Sequence, residues 1–373
     1  MSGPLNGVKV IELGSLGPGP FTGMMLADAG ADVLCLIGPN PAAPSLLNRS
    51  RKSVGCNLKH PEGVALLLDL VKDADILIEG YRPGVTERLG VGPDACLAVN
   101  PALVYGRMTG FGQEGPLAKR AGHDINYIAL SGALWPLGRE GERPMFPINF
   151  LGDFGGGGML LGFGVLAALL EAKVSGKGQV VDAAMVDGAA TISTFLYGMI
   201  ETGFWEVERG VNLLDSGAHF YEVYETKDGK YVAVGAVESQ FYALLLKGLG
   251  LDAATLPSQM DRSSWRTMKE QFTKIFASKT RDEWTEIFAD VDACVTPVLS
   301  PLEAATHPWN AEREVFSTVG GISQPNPSPR YSRTPAKIQS PEFSFADGTD
   351  ERLGEWGVDA DRLATLRESG AIF

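Results

Sequence analysis

Short apolar runs alternating with helix-length segments across residues 8–108 restrict the folds open to this chain. Residues 8–13 read as a strand, Gly17-Pro18-Gly19-Pro20 as a turn, 21–29 as helical and 31–37 as a second apolar run. That order is a βαβ unit, because parallel neighbours need a long crossover. Val64, Leu67, Leu68 and Val71 fall at i, i+3, i+4 and i+7 behind Pro61, which predicts a helix with one apolar stripe. Further strands are expected at 75–79 and 103–108. Strands covered on both faces by intervening helices form a doubly wound parallel sheet, so the fold class is α/β.

The texture changes near Gly217. Residues 220–226 and 230–235 flank Lys227-Asp228-Gly229, a hairpin turn by its Asp-Gly pair. Two helices follow, the first with Trp265, Met268, Phe272, Ile275 and Phe276 at helical spacing, the second opening on the capping-box pattern Thr280-Arg281-Asp282-Glu283. The expected organisation is a large α/β domain over 1–190, a connector over 191–216, a smaller α+β domain over 217–310, and a segment over 311–373 that returns to the large domain. Within it, 323–341 reads as irregular and 353–369 as periodic.

Charge narrows the partners. With 32 basic and 45 acidic residues the net charge is −13, which argues against nucleic acid or an anionic membrane as a partner. Cys35, Cys56, Cys96 and Cys294 are widely spaced and read as reduced thiols, favouring a cytoplasmic location. Residues 1–5 lack signal-peptide features, and the apolar run 159–170, interrupted by Gly162 and Gly164, reads as a buried helix too short to cross a bilayer. Neither HExxH nor a compact Cys/His cluster occurs, so no metal site is expected. Gly17 and Gly19 do not complete a dinucleotide fingerprint.

Three segments set one titratable side chain among glycines and apolar residues: Gly122-His123-Asp124-Ile125-Asn126-Tyr127, then Gly152-Asp153-Phe154 before glycines 155–158, then Val234-Gly235-Ala236-Val237-Glu238. An imidazole and two carboxylates in apolar surroundings suit proton transfer at a weakly acidic carbon. His123 has a plain structural alternative, a turn histidine; Asp153 could be a helix cap, and Glu238 a surface or capping carboxylate. Amides near Asp153 could bind an oxyanion, while the glycines could equally serve tight helix packing.

These segments, with Tyr81-Arg82-Pro83-Gly84, Gly106-Arg107-Met108-Thr109-Gly110-Phe111-Gly112 and Asp292-Ala293-Cys294-Val295-Thr296-Pro297-Val298, resemble the family III CoA-transferases and, within them, the racemases of α-methylacyl-CoA. The resemblance runs from Leu5 to about Ile372. It implies the family III fold in an interlocked homodimer, and an isomerase that epimerises 2-methyl-branched acyl-CoA thioesters by 1,1-proton transfer without a redox or metal cofactor. In that reading His123 and Asp153 are the acid and base, and Glu238 pairs with the histidine. Asp124, Asn126 and Tyr127 are expected to be supporting residues. The alternatives are a CoA transferase of the same family, with Asp153 as nucleophile, and a CoA-binding protein without turnover.

Coenzyme A is polyanionic, so an acidic protein must meet it with clustered cations. Arg49, Arg51, Lys52 and Lys59 form one cluster, Arg82 and Arg88 a second. Met24, Met25, Met159, Met185 and Met199 are candidates for an adaptable acyl surface. One departure from the resemblance stands out: where the racemases carry Arg and Asp after the second strand, this chain has Leu34-Cys35-Leu36-Ile37-Gly38-Pro39, and two expected cations are missing. Asn57 and His219 also replace an expected Asp and Pro.

Overall fold

A computed structural model describes residues 3–41, 45–340 and 346–373, and the chain divides into two compact units. The first comprises Met1–Ser131, Pro147–Ile192 and Pro308–Phe373; the second comprises Gly132–Phe146 and Ser193–His307. Residues 193–216, most of the connector expected over 191–216, belong to the second unit together with 132–146. A local reason is visible in Asn212, whose side chain binds the Glu206 and Glu208 carbonyls, and in Arg209, whose guanidinium holds the carbonyls of Trp135 and Glu142.

In the first unit, β1 (Lys9–Leu13), α1 (Pro18–Asp28), β2 (Asp32–Ile37), β3 (Lys52–Gly55), α2 (Pro61–Val71) and β4 (Ile76–Glu79) are followed by short helices α3 (Val85–Leu89) and α4 (Pro93–Val99), then β5 (Val104–Thr109). Next come α5 (Asp124–Leu130), a π-helical segment Phe150–Met159, α6 (Leu160–Ser175), β6 (Val180–Ala184) and α7 (Met185–Ile192). The six strands pair in parallel in the order β3-β2-β1-β4-β5-β6. Strand order reverses beside β1, which leaves a crevice at the carboxyl ends of β1 and β4. Val10, Ile11, Leu13, Ile76, Leu77 and Ile78 are completely buried, as strands covered on both faces must be.

One expectation is corrected at α6. It continues the π-helical segment into 26 helical residues, Phe150–Ser175, which by length and composition alone could cross a membrane. Leu161 and Val165 pack toward Gly106 of β5, where a Cβ would lie 2.8 Å from Val165, but Phe163, Leu170 and Val174 are exposed. The helix is therefore buried on one side only, not all round.

The second unit contains α8 (Thr194–Glu201), the antiparallel pair β7 (Tyr221–Glu225) and β8 (Tyr231–Gly235), α9 (Ser239–Gly248), α10 (Trp265–Phe276), α11 (Arg281–Phe288), β9 (Val295–Pro297) and α12 (Pro301–Thr306). β9 joins the hairpin as a third strand. Thr280 caps α11 with Glu283 reaching back to its amide, the expected capping box. Phe220, Phe272, Phe276 and Trp284 fill the core; burying each such ring contributes about 1.5–3 kcal/mol.

The first unit is completed by α13 (Pro308–Glu312), the hairpin β10 (Phe316–Val319) and β11 (Ile322–Pro325), α14 (Thr349–Glu355) and α15 (Ala360–Glu368). The stretch expected to be irregular thus begins in a strand, and its last residue, Pro341, lies outside the described residues. Leu353, Trp356, Leu366 and Ile372 pack with Leu66, Leu67 and Leu70, which is how the final periodic segment returns to the sheet.

Candidate active site

The loop after β5 delivers His123 to the amino end of α5, where it is the residue preceding the first helical turn, with extended backbone. Asn126 secures this start by accepting the His123 amide on its side-chain oxygen at 3.1 Å. The Tyr127 ring lies under the loop and donates its hydroxyl to the Gly122 carbonyl. Gly110 and Gly122 have no side chain because that ring occupies the space; at Gly122 a Cβ would stand 2.8 Å from it. The imidazole is left exposed on its unit.

Asp153 sits in the π-helical segment. Asn149, one turn earlier, donates from Nδ2 to Asp153 Oδ2 at 3.1 Å. Burial raises the Asp153 pKa above the usual carboxylate value; the Asn149 bond opposes this, neighbouring Asp124 reinforces it, and the nearby His123 opposes it. Asp153 is half-buried, so a fraction of that effect is screened by water. Leu16, Tyr81, Arg82, Arg120, His123 and Asp153 line one cavity of about 440 Å³. Gly17 shares its wall with a positive φ of 68°, and a Cβ there would come within 3.8 Å of Asp153 Oδ2.

Two of the amides near Asp153 that were expected as oxyanion donors are committed inside the fold. The Gly152 and Asp153 amides both donate to Asp124 Oδ2, at 2.6 and 2.7 Å, so they are already used. Asp124 is almost fully buried, and a Cβ on Gly152 would lie 2.6 Å from its carboxylate. The glycine run serves packing instead. A Cβ on Gly156 would lie 2.6 Å from the Ala189 amide of α7, and one on Gly158 would lie 2.7 Å from the Phe21 ring of α1.

Glu238 precedes α9 in the second unit and is exposed. The cations expected for coenzyme A are in very different positions. Arg49 is buried, its Nε and Nη2 on Asp28 Oδ2 at 3.0 and 2.7 Å and its Nη1 on Gln324 and the Pro325 carbonyl. Arg51 is buried against Glu12. Lys52 bridges Glu355 and Asp32 at 2.6 and 3.3 Å. A guanidinium whose donors are used inside the fold neutralises a buried carboxylate, so Arg49 leaves the expected carrier-binding set. Lys59, Arg82 and Arg88 are exposed, and of these Arg82 lines the cavity. Met185 lines it as well, while Met24 belongs to the core and Met199 to the second unit.

Two site residues escaped the sequence pattern. Arg120, three residues before His123, lines the cavity, and Asn149 holds Asp153 from four residues upstream. Only their closeness to the two motifs pointed to them. A second cavity, of about 520 Å³, lies at the carboxyl ends of β1 and β2, and Leu16, Gly17 and Tyr81 line both. Among the described residues there is no cluster of three or more His, Cys, Asp or Glu able to hold a metal.

A profile described as CoA-transferase family III matches residues 5–343. The chain is 48% identical over 370 residues to alpha-methylacyl-CoA racemase of Mus musculus, covering 99% of this chain and 97% of that one. It is 45% identical to alpha-methylacyl-CoA racemase of Homo sapiens, over 99% of this chain and 97% of that one. Among solved structures, a CAIB/BAIF family protein from Brucella suis has a TM-score of 0.83 at 22% identity, covering 95% of this chain and all of that one (100%), a likeness of fold.

Proposed function

The chain belongs to CoA-transferase family III, and from that membership we propose that it racemises 2-methyl-branched acyl-CoA thioesters by moving one proton off and onto the α-carbon. The observation that carries the mechanism is that His123 and Asp153, brought by separate segments of one unit, line a single cavity. A carbon beside a thioester carbonyl is acidic because its carbanion delocalises as an enolate. One group takes the proton from one face, the other returns one to the opposite face, and the roles exchange with direction. The raised pKa of Asp153 suits both roles, since it makes the carboxylate a stronger base and keeps the acid populated to higher pH. Arg82 and Arg120 bring positive charge to the same wall, where enolate and carrier phosphates need it.

Glu238 is the carboxylate we assign to the second ring nitrogen of His123, fixing its tautomer. A homodimer is the assembly we assign to complete the site. Mixing His123→Ala and Glu238→Ala subunits tests both assignments, because a shared site regains activity in a fraction of mixed dimers. We place the protein in the cytoplasm on its four free thiols.

Incubation with a 2-methylacyl-CoA in deuterium oxide tests the reaction. The expected result is α-deuterium incorporation with loss of optical purity and no hydroxamate on Asp153 when hydroxylamine is added. A trapped Asp153 hydroxamate without α-exchange would instead establish transfer of CoA through an aspartyl intermediate.

A further inference from the structure

Arg49, Arg51, Arg107 and Arg281 each neutralise a carboxylate of the fold, Asp28, Glu12, Glu79 and Glu303 respectively. Arg120 does not. It lines the cavity of His123 and Asp153, is exposed, and makes no ion pair or side-chain hydrogen bond among the described residues. Its backbone is nevertheless held from both sides. The Arg120 amide donates to the Leu117 carbonyl at 2.8 Å, and two residues further on the Gly122 carbonyl accepts the Tyr127 hydroxyl. The side chain therefore leaves a fixed point, three residues before His123, with its fork of donors unclaimed by the described residues.

Asp153 is the one carboxylate among the described residues lining this cavity, against the guanidiniums of Arg82 and Arg120, and its Oδ2 is held by Asn149. An unpaired cation in a protein of net charge −13 suits an anionic group on the ligand. The field of both guanidiniums reaches the enolate, but a two-pronged contact needs an anion within the reach of Arg120. The carrier's phosphates are one source and the acyl group is the other. Pantetheine is uncharged and holds the phosphates further from the α-carbon than three residues of extended chain can span, about 10 Å. Arg82, just past the carboxyl end of β4, is placed for the carrier, since ligands of open α/β sheets gather there. Arg120 is tied to the loop of His123, which marks the α-carbon. The anion a substrate can present on that side is a carboxylate on its acyl chain. Phe111, Ala118 and Ala121 add apolar surface to the same lining, which suits a short run of methylenes.

We propose that Arg120 is a specificity residue that binds a carboxylate at the far end of the acyl group, so that the preferred thioesters are those of 2-methyl-branched dicarboxylic acids. The inference rests on the acyl-CoA reading above and narrows it to a substrate class.

Exchange of the α-proton in deuterium oxide, followed for 2-methyladipoyl-CoA and for 2,6-dimethylheptanoyl-CoA, tests it. The two thioesters differ in carrying a carboxylate or an isopropyl group of like shape at the chain end. The expected kcat/KM is higher for the carboxylate substrate by about tenfold or more, the worth of a hydrogen bond to a charged group. In Arg120→Gln that ratio should fall by about the same factor, with the melting temperature kept because the side chain is exposed. Arg120→Lys, which keeps the charge and loses the fork, should retain part of the preference. A wild-type ratio of one or less would overturn the proposal. So would an Arg120→Gln variant that slows both substrates equally, which would assign the guanidinium to the enolate or the carrier. Exchange with the isopropyl substrate alone would overturn the substrate class and leave the racemase reading standing, whereas exchange with neither would remove the proposed reaction itself.

Discussion

The carboxylate of Asp124 accepts the amides of both Gly152 and Asp153, at 2.6 and 2.7 Å, and so ties the start of α5, where His123 stands, to the turn that carries Asp153. One buried acceptor therefore sets the position of both proposed proton-transfer groups. Asp124→Ala should lower kcat by about a hundredfold, the cost of a small misplacement of reacting groups. The orphaned amides should also cost about 1–3 kcal/mol of stability. Asp124→Asn keeps an acceptor oxygen and should recover most of both. Steady-state kinetics and chemical denaturation on the two variants check this, and equal losses in both would show that charge rather than geometry is what matters.

Asn149 adjusts the acid limb of the pH profile. Its hydrogen bond favours the charged form of Asp153, against burial that favours the neutral form. Removing the donor in Asn149→Ala should move the Asp153 pKa further up. In the direction in which Asp153 is the base, the acid limb of kcat/KM is set by loss of its carboxylate and should shift to higher pH. A merely structural asparagine would lower the rate at every pH and leave the limb in place.

Helical glycines divide by what their missing side chains would meet. Gly156→Ala and Gly188→Ala drive a Cβ into backbone of the facing helix and should cost about 3 kcal/mol or more, as overpacking of a tight contact does. Gly198→Ala, in α8 with open space around it, should be neutral or stabilising by up to about 1 kcal/mol. Melting temperatures of the three variants check the contrast.

His219 makes the second unit acid-sensitive. Its ring is buried among Phe220, Tyr242 and Phe272, with Nε2 at 2.8 Å from the Tyr242 hydroxyl and Nδ1 without a partner among the described residues. Burial, helped by the charge of Lys269, lowers its pKa from 6.5 to about 4. Below pH 6.5 the unfolded chain takes up a proton that the native state refuses. The stability contribution is thus full above pH 6.5 and declines as pH falls toward 4. Over that window the linkage is worth about 3 kcal/mol at most. Urea unfolding as a function of pH should show this slope, and His219→Phe should flatten it.

The sheet was legible because its strands are buried on both faces and read as apolar runs even in isolation, as residues 31–37 do. The hairpin and the α11 cap were legible for the same local reason, since Asp228-Gly229 and Thr280 with Glu283 act within a few residues. What stayed hidden is non-local. Arg49 and Arg51 read as a phosphate-binding cluster because nothing nearby in sequence marks their partners, Asp28 at 21 and Glu12 at 39 residues' distance. Likewise, Gly152 and glycines 155–158 suggested amides offered to a ligand, because the buried Asp124 acceptor and the facing α7 backbone are specified by other segments. His123 and Asp153 stood out in the sequence as candidates; that they line one cavity needed the fold.

The central claim is that these two groups act on one stereocentre, and the interconversion of (R)- and (S)-2-methylacyl-CoA by His123→Ala and Asp153→Ala measures it most directly. Both variants should fold as the wild type does and lose racemisation by about 10²-fold or more, the usual worth of a positioned acid or base. Racemisation at wild-type rate in either variant would contradict the account.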